Sequence, residues 1–240
     1  MDADRIRPLN DDPPDPEGSY VLYWMQQSQR APFNHALEYA ARRANERDQG
    51  LVVGFGLTDA YPEANERHYA FMLEGLAETA QTLQTRGIKF VLRAGEPDEV
   101  ALALAAEASL VVCDRGYLRH QRRWRERVAK DAGKSVVQVE SDVVVPVEIA
   151  SDKAEFAART IRPKLRRAWP AFLSGLGATT LKRASLSLPV ASELDPRRPE
   201  RLLERLKIDR SVSRVGRFRG GTSQARRRLQ RFLRAGLEGY

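Results

Sequence analysis

The residues best suited to bind a ligand lie in the segment 20–34, where an apolar run is followed by a polar loop. An indole ring face next to amide and guanidinium donors is the set of groups that a flat heterocyclic ligand needs. The candidate contacts of this loop are Trp24, Met25, Gln26, Arg30 and Asn34. The alternative interpretation is that Trp24 and Met25 belong to the core.

Further polar groups follow other apolar runs of the chain, namely Asp59, Cys113 and Asp114. The two carboxylates could hold the ring edge or the hydroxyl groups of a bound ligand. They could equally cap the backbone N–H groups at the start of a helix. Cys113 ends an apolar run, which is typical of a buried and unreactive thiol.

The sequence predicts neither a catalytic set nor a metal site. It contains no G-x-G-x-x-G after the first apolar run and no phosphate-binding G-x-x-x-x-G-K-[ST]. Its three histidines lack the spacing of metal ligands, and a single cysteine excludes a multi-cysteine site.

An alternation of apolar runs and helical patterns must position these residues. The predicted strands are 20–25, 51–57, 88–93, 109–114 and 135–139, and the predicted helices between them are 34–47, 65–86, 98–106 and 118–132. Strands joined by helices of this length form a parallel sheet with both faces covered. We therefore predict an α/β fold, a doubly wound five-stranded parallel sheet, over 19–150. In such sheets ligands bind beyond the carboxyl ends of the strands, where the strand order reverses.

The rest of the chain differs in composition and in its pattern of apolar residues. Residues 1–18 are acidic and proline-rich, which predicts a disordered leader. Residues 151–173 have a helical pattern, and 174–221 are rich in Gly, Ser, Pro and Arg, as linkers are. Residues 222–240 form an amphipathic helix pattern whose apolar stripe needs a partner.

Charge is divided unevenly along the chain. Residues 1–150 carry 18 basic and 24 acidic side chains, whereas 151–240 carry 22 basic and 8 acidic ones. A basic arm of this kind usually contacts a polyanion such as DNA. The candidate DNA contacts are Arg217, Arg219, Arg226 and Arg227. The alternatives are that these arginines only expose charge, or that they pair with acids of another domain.

Five blocks of the sequence resemble class II cyclobutane-pyrimidine-dimer DNA photolyases in order and spacing. They are YWMQQSQR with NHAL, GFGLTDAYPEANERHYAFMLEGL, SLVVCDRGYLRHQRRWRERVA, VESDVVVPVEIASDKAEFAARTIRPKL and FRGGTSQARRRLQRFLRAGLEGY. The resemblance covers about 19–240. It implies that 19–150 form a Rossmann-like antenna domain, that 174–221 form an interdomain linker, and that 222–240 begin the catalytic domain.

The resemblance also implies an activity. Enzymes of this family, deoxyribodipyrimidine photo-lyases, are carbon–carbon lyases that bind FAD in a C-terminal helical domain and repair damaged DNA with light. Their N-terminal domain holds a second, light-harvesting chromophore, often of the deazaflavin type. We expect the FAD domain to lie beyond residue 240 or on a separate polypeptide, so that this chain alone repairs nothing.

A binding module is the alternative function. In this interpretation the α/β domain is a free-standing chromophore or nucleotide carrier, and the basic arm docks on DNA or on a protein partner. No apolar run reaches the roughly 20 residues needed to cross a bilayer, and residues 1–18 lack the apolar core of a secretory signal. We therefore expect a cytoplasmic protein with no membrane partner.

Overall fold

A six-stranded sheet forms the centre of the molecule in the computed structural model, which describes residues 2–240. The strands are β1 (Ile6–Pro8), β2 (Tyr20–Trp24), β3 (Gly50–Leu57), β4 (Lys89–Ala94), β5 (Ala108–Asp114) and β6 (Val136–Val139). Their order in the sheet is β1-β6-β5-β2-β3-β4, and every neighbouring pair is parallel except β1 with β6. The strand order reverses at β2, between β5 and β3.

Helices cover both faces of the sheet, which confirms the predicted doubly wound α/β fold. They are α1 (His35–Glu46), α2 (Glu66–Thr85), α3 (Pro97–Ala105), α4 (Arg119–Asp131), α5 (Val147–Ala150), α6 (Ala158–Phe172), α7 (Pro199–Arg205) and α8 (Thr222–Ala235). Helices α1 and α2 pack on one face, and α3 and α4 pack on the other. Because both faces are covered, all residues of β2, β3 and β5 are buried. Among residues 2–240, no helix is both long and apolar enough to span a bilayer.

The prediction of a disordered leader over residues 1–18 is wrong for the described part, residues 2–18. Strand β1 pairs antiparallel with β6, which would otherwise be an open edge of the sheet. Arg5, just before this strand, is 3% exposed, and its guanidinium donates to the carbonyl groups of Glu140 (3.1 Å), Val143 (2.9 Å) and Val144 (2.6 Å). The sheet consequently has one strand more than the five predicted.

Residues 151–173 are helical only in part. Helix α6 begins at Ala158, and residues 151–157 form bends and irregular chain. Pro163 and Pro170 lie inside α6 without ending it.

The segment predicted as a linker, 174–221, is irregular apart from the short helix α7, but it packs closely on the domain. Its part 185–194 runs along β4, where Ser185 Oγ accepts from the backbone N–H of Lys89 (2.8 Å) and Ser192 Oγ accepts from that of Leu92 (2.9 Å). The backbone N–H of Leu194 donates to the Leu92 carbonyl (3.1 Å). This segment therefore covers the second edge of the sheet.

Asp114, at the carboxyl end of β5, fixes the loop that follows β2. It is 3% exposed, and its Oδ2 accepts from the backbone N–H groups of residues 26, 27 and 28 at 2.9 to 3.0 Å. Its Oδ1 accepts from the Tyr23 hydroxyl (2.8 Å). Burial raises the pKa of the Asp114 carboxyl, while these donors act in the opposite direction. Asp114 thus caps a loop, whereas the sequence suggested a helix cap or a ligand contact.

We expect Arg5→Met to lower the free energy of unfolding by about 3 kcal/mol, because it leaves buried carbonyl groups without donors. Arg7→Met, two residues away and exposed, is the matched control. Urea unfolding followed by circular dichroism measures both values. Equal stability of the two variants would show that the N-terminal segment contributes little.

We expect Asp114→Asn to destabilise the fold by about 3 kcal/mol near neutral pH, because an amide NH₂ in place of Oδ2 cannot accept from the three backbone N–H groups. The carboxyl binds its proton more tightly in the folded chain than in the unfolded chain. The difference from wild type should therefore shrink as the pH rises above about 4. Urea unfolding across this pH range tests both points, with the exposed Asp152→Asn as control.

Candidate functional site

A cavity of about 690 Å³ lies at the carboxyl ends of β2 and β3. The end of β3 and the residue after it (Phe55 to Thr58) form one side. Gln26, Gln27 and Gln29 of the loop after β2 form another. Helix α2 contributes Phe71, Met72 and Gly75, and the start of α8 contributes Gly221, Thr222 and Ala225. A cavity of this volume is large enough for a ring system of several fused rings.

Amide and hydroxyl groups meet in the lining of the cavity. Gln121 Nε2 donates to Gln27 Oε1 (2.8 Å) and to the Tyr61 hydroxyl (3.1 Å). Burial raises the pKa of Tyr61, which keeps its hydroxyl protonated. Gln26 Nε2 is buried and has no hydrogen-bond partner among residues 2–240. Gln26 also lines the cavity, so a rotation of its side chain would present this unpaired donor to the carbonyl oxygen of a ligand.

The aromatic groups beside this network form a compact cluster. The Tyr61 ring meets the His120 ring edge-on at 4.8 Å between centroids, and His120 meets Trp124 at 5.0 Å. The cluster holds Tyr61 at the cavity wall without a charged partner.

Charge is sparse in the lining. Among the described residues that line the cavity there is neither lysine nor arginine, and Glu63 is the one carboxylate. A phosphate or pyrophosphate group would find neither lysine nor arginine to pair with among these lining residues. The cavity therefore fits an uncharged ring system better than a nucleotide.

The point where the strand order reverses is nearly filled. Trp24, Cys113 and Asp114 surround a void of only about 10 Å³ there, and Gln26 borders both this void and the large cavity. Met25 is completely buried. Burial raises the pKa of the Cys113 thiol to about 12, so this thiol is unreactive. Of the eight candidate contacts, Gln26 lines the large cavity.

The remaining candidates have other partners. Arg30 Nη1 pairs with Asp142 Oδ1 at 2.8 Å. Asn34 Oδ1 accepts from the Leu37 backbone N–H (2.9 Å), which makes Asn34 the cap of α1. Asp59 borders a separate cavity of about 410 Å³ between β4 and α7.

Sequence reasoning missed the wall contributed by α2 and α8. The aromatic and small residues of α2 have the spacing of an ordinary helical core stripe. The residues at the start of α8 that line the cavity are more than 140 positions away in sequence from those of α2. The pair Gly220-Gly221 was the available signal, because paired glycines mark a close approach of backbones.

The candidate DNA contacts Arg217, Arg219, Arg226 and Arg227 are exposed. The apolar stripe of α8 is exposed too, with Leu229 at 55% and Leu233 at 53%, as its amphipathic pattern predicted. Among residues 2–240, no group of three or more His, Cys, Asp or Glu side chains is arranged to hold a metal ion.

Comparisons with known proteins identify relatives of the chain. A family model described as DNA photolyase matches residues 21–184. A deoxyribodipyrimidine photo-lyase from Methanothermobacter thermautotrophicus is 46% identical over 241 residues, which cover 98% of this chain and 52% of that protein. One from Potorous tridactylus is 33% identical over 216 residues, covering 88% of this chain and 40% of that protein. The chain thus spans about half the length of these relatives, or less.

A solved structure has the same fold. It is an archaeal photolyase from Sulfolobus tokodaii, described as having two FAD molecules and implying a novel light-harvesting cofactor. It superposes with a TM-score of 0.63 and 17% sequence identity over 89% of this chain and 47% of that one. The fold agrees with the family match and with the two sequence relatives, and on that evidence the chain belongs to the DNA photolyase family.

Proposed function

We propose that this chain is the N-terminal, antenna portion of a class II photolyase that repairs cyclobutane pyrimidine dimers in DNA. The observation that carries the proposal is the cavity of about 690 Å³ at the carboxyl ends of β2 and β3. It lies beyond the carboxyl ends of the strands, the end of the sheet at which doubly wound folds bind ligands, but one strand away from the reversal of strand order. Within the proposal this cavity holds the light-harvesting chromophore.

The lining supports a chromophore of the deazaflavin type. The bound group would absorb light and pass its excitation energy to a flavin elsewhere in the enzyme. Gln26 Nε2 supplies a free donor for a ring carbonyl, and Tyr61 supplies a hydroxyl. Leu57 and Met72 exclude water from the ring faces. The lack of lysine and arginine among the described lining residues favours a chromophore without phosphate over a dinucleotide such as FAD.

The repair step itself is assigned to FAD bound outside this chain. Within the proposal, the flavin is held by a C-terminal domain of the same enzyme or by a separate polypeptide, and damaged DNA is its substrate. The chain's own contribution is to hold the antenna chromophore and to present the basic helix α8. This division agrees with the extent of the match, which covers about half of the Methanothermobacter relative.

We expect the purified chain to bind 8-hydroxy-5-deazaflavin with a shift of its absorption band, and to bind FAD more weakly. Gln26→Leu should weaken deazaflavin binding about tenfold, because it removes one hydrogen bond to the ligand. Gln81→Leu, exposed on α2 and outside the cavity, is the control. Equilibrium dialysis gives the affinities. Tighter binding of FAD than of deazaflavin would refute the assignment of the chromophore type.

The exposed arginines favour direct contact of α8 and the preceding segment with DNA, in the complete enzyme or in a free-standing module. Changing Arg217, Arg219, Arg226 and Arg227 to Gln should lower the slope of log affinity against log salt by up to about 3.6. The control removes the same charge from α6, by changing Arg159, Arg162, Arg166 and Arg167 to Gln. Fluorescence anisotropy with a duplex at several salt concentrations measures the slopes. Equal slopes for the two variants would mean that DNA does not contact α8 and the segment before it in preference to α6.

A further inference from the structure

The first turn of α8 forms one wall of the cavity, although it is joined to the domain only through a long irregular segment. Gly221, Thr222 and Ala225 line the cavity opposite the end of β3. Without these residues the cavity would open to solvent on that side. Contacts between α8 and the domain therefore decide whether the cavity is closed.

Two glutamates of α2 hold this turn in place. Glu74 Oε2 accepts from the backbone N–H of Gly220 (2.7 Å). Glu78 accepts from the backbone N–H of Ser223 (2.8 Å) and from its hydroxyl (2.7 Å). Carboxylates at the N-terminus of a helix also interact favourably with the helix dipole. Neither glutamate lines the cavity, so both act on it only through α8.

The close approach of α8 to α2 requires the two glycines. A Cβ atom on Gly220 would lie 1.9 Å from the Phe71 carbonyl oxygen, a distance that no side chain allows. Gly221 has φ of 111°, a conformation that favours glycine, and a Cβ there would lie 2.5 Å from Glu78 Oε2. A side chain at either position would force the turn away from α2.

Helix α8 also contacts the loop after β2, which forms another wall of the cavity. The Arg226 guanidinium lies over the ring of Phe33, 5.9 Å from its centroid. Phe33 follows Gln29 in this loop, and Gln29 lines the cavity. The Thr79 hydroxyl of α2 donates to the Gln29 carbonyl (3.3 Å). Helix α8 thus bridges α2 and the loop across the cavity.

We propose that ligand binding in the cavity and docking of α8 on α2 are thermodynamically coupled, with Glu74, Glu78 and Gly220 as the positioning residues. This inference rests on the proposed chromophore function of the cavity. A ligand loses one of its contact surfaces when α8 undocks. Docking of α8 therefore raises the affinity for the ligand, and the bound ligand stabilises the docked helix. By linkage, each raises the affinity of the other by the same factor. Occupancy of the cavity therefore fixes the orientation of the arginines that α8 carries.

The test compares Gly220→Ala with Gly216→Ala. Gly216 lies four residues earlier and has ordinary backbone angles, and a methyl group added there would lie in open space, so its change is the matched control. Two measurements apply to each protein: the affinity for 8-hydroxy-5-deazaflavin, and the rate at which trypsin cleaves after Arg226 and Arg227. Glu78→Gln is the second variant. It weakens the hydrogen bonds from Ser223 that hold α8 on α2, without adding a side-chain atom to the interface.

We expect Gly220→Ala to bind the deazaflavin at least about tenfold more weakly than wild type and to be cleaved faster without ligand. Saturating deazaflavin should slow cleavage of wild type and Gly216→Ala. Thermal unfolding monitored by circular dichroism confirms that the variants fold. Wild-type affinity in both Gly220→Ala and Glu78→Gln would overturn the coupling and leave the chromophore site intact. Failure of wild type to bind deazaflavin or FAD would overturn the proposed function and the coupling together.

Discussion

The buried carboxylate of Asp114 is the interaction on which the ligand-binding end of the molecule depends. It lies where β5 and β2 end side by side, and it collects three consecutive N–H groups of the loop after β2 together with the Tyr23 hydroxyl. A loop of this kind has no ladder to satisfy its donors, and a buried N–H group without a partner is costly. One side chain from the neighbouring strand meets that need. The position of Gln26 and Gln27 at the cavity wall is a consequence of it.

The same interaction explains why the cavity is displaced from the expected place. The reversal of strand order at β2 predicts a binding crevice between β2 and β5. Asp114 draws the loop over that crevice, and Trp24 and Cys113 fill what is left. Space remains on the other side of β2, against the end of β3 and α2. The crevice between β2 and β5 is thus filled by side chains that hold the loop after β2, and the ligand-sized cavity lies on the other side of β2.

The sequence was sufficient for the five parallel strands, the four helices between them and the resemblance to a family, because apolar runs such as 51–57 and 109–114 have the length of buried strands. It was insufficient for contacts between distant segments. The proline-rich start reads as unstructured, yet Arg5 finds carbonyl groups more than 130 residues away. The segment 185–194 reads as a linker, yet its serine hydroxyls pair with β4. Asp114 illustrates the same limit at the site, since periodicity shows which residues are buried but not which donors they meet.

Both edges of the sheet are closed by chain that lies far away in sequence. Strand β1 pairs with β6, and residues 185–194 run along β4. The chain between β1 and β6 and the chain between β4 and residues 185–194 are long, so bringing their ends together costs conformational entropy. Pairing with a strand that has already formed offsets this cost. The crossovers β2-α1-β3, β3-α2-β4 and β5-α4-β6 connect neighbouring strands, and β4-α3-β5 passes over β3 and β2; all four span shorter stretches of chain. During synthesis both edges of the nascent sheet therefore have unpaired backbone groups. Strand β1 can pair only after β6 has been synthesised. The interval in which this protein is open to wrong strand pairing ends only when residue 194 has left the ribosome.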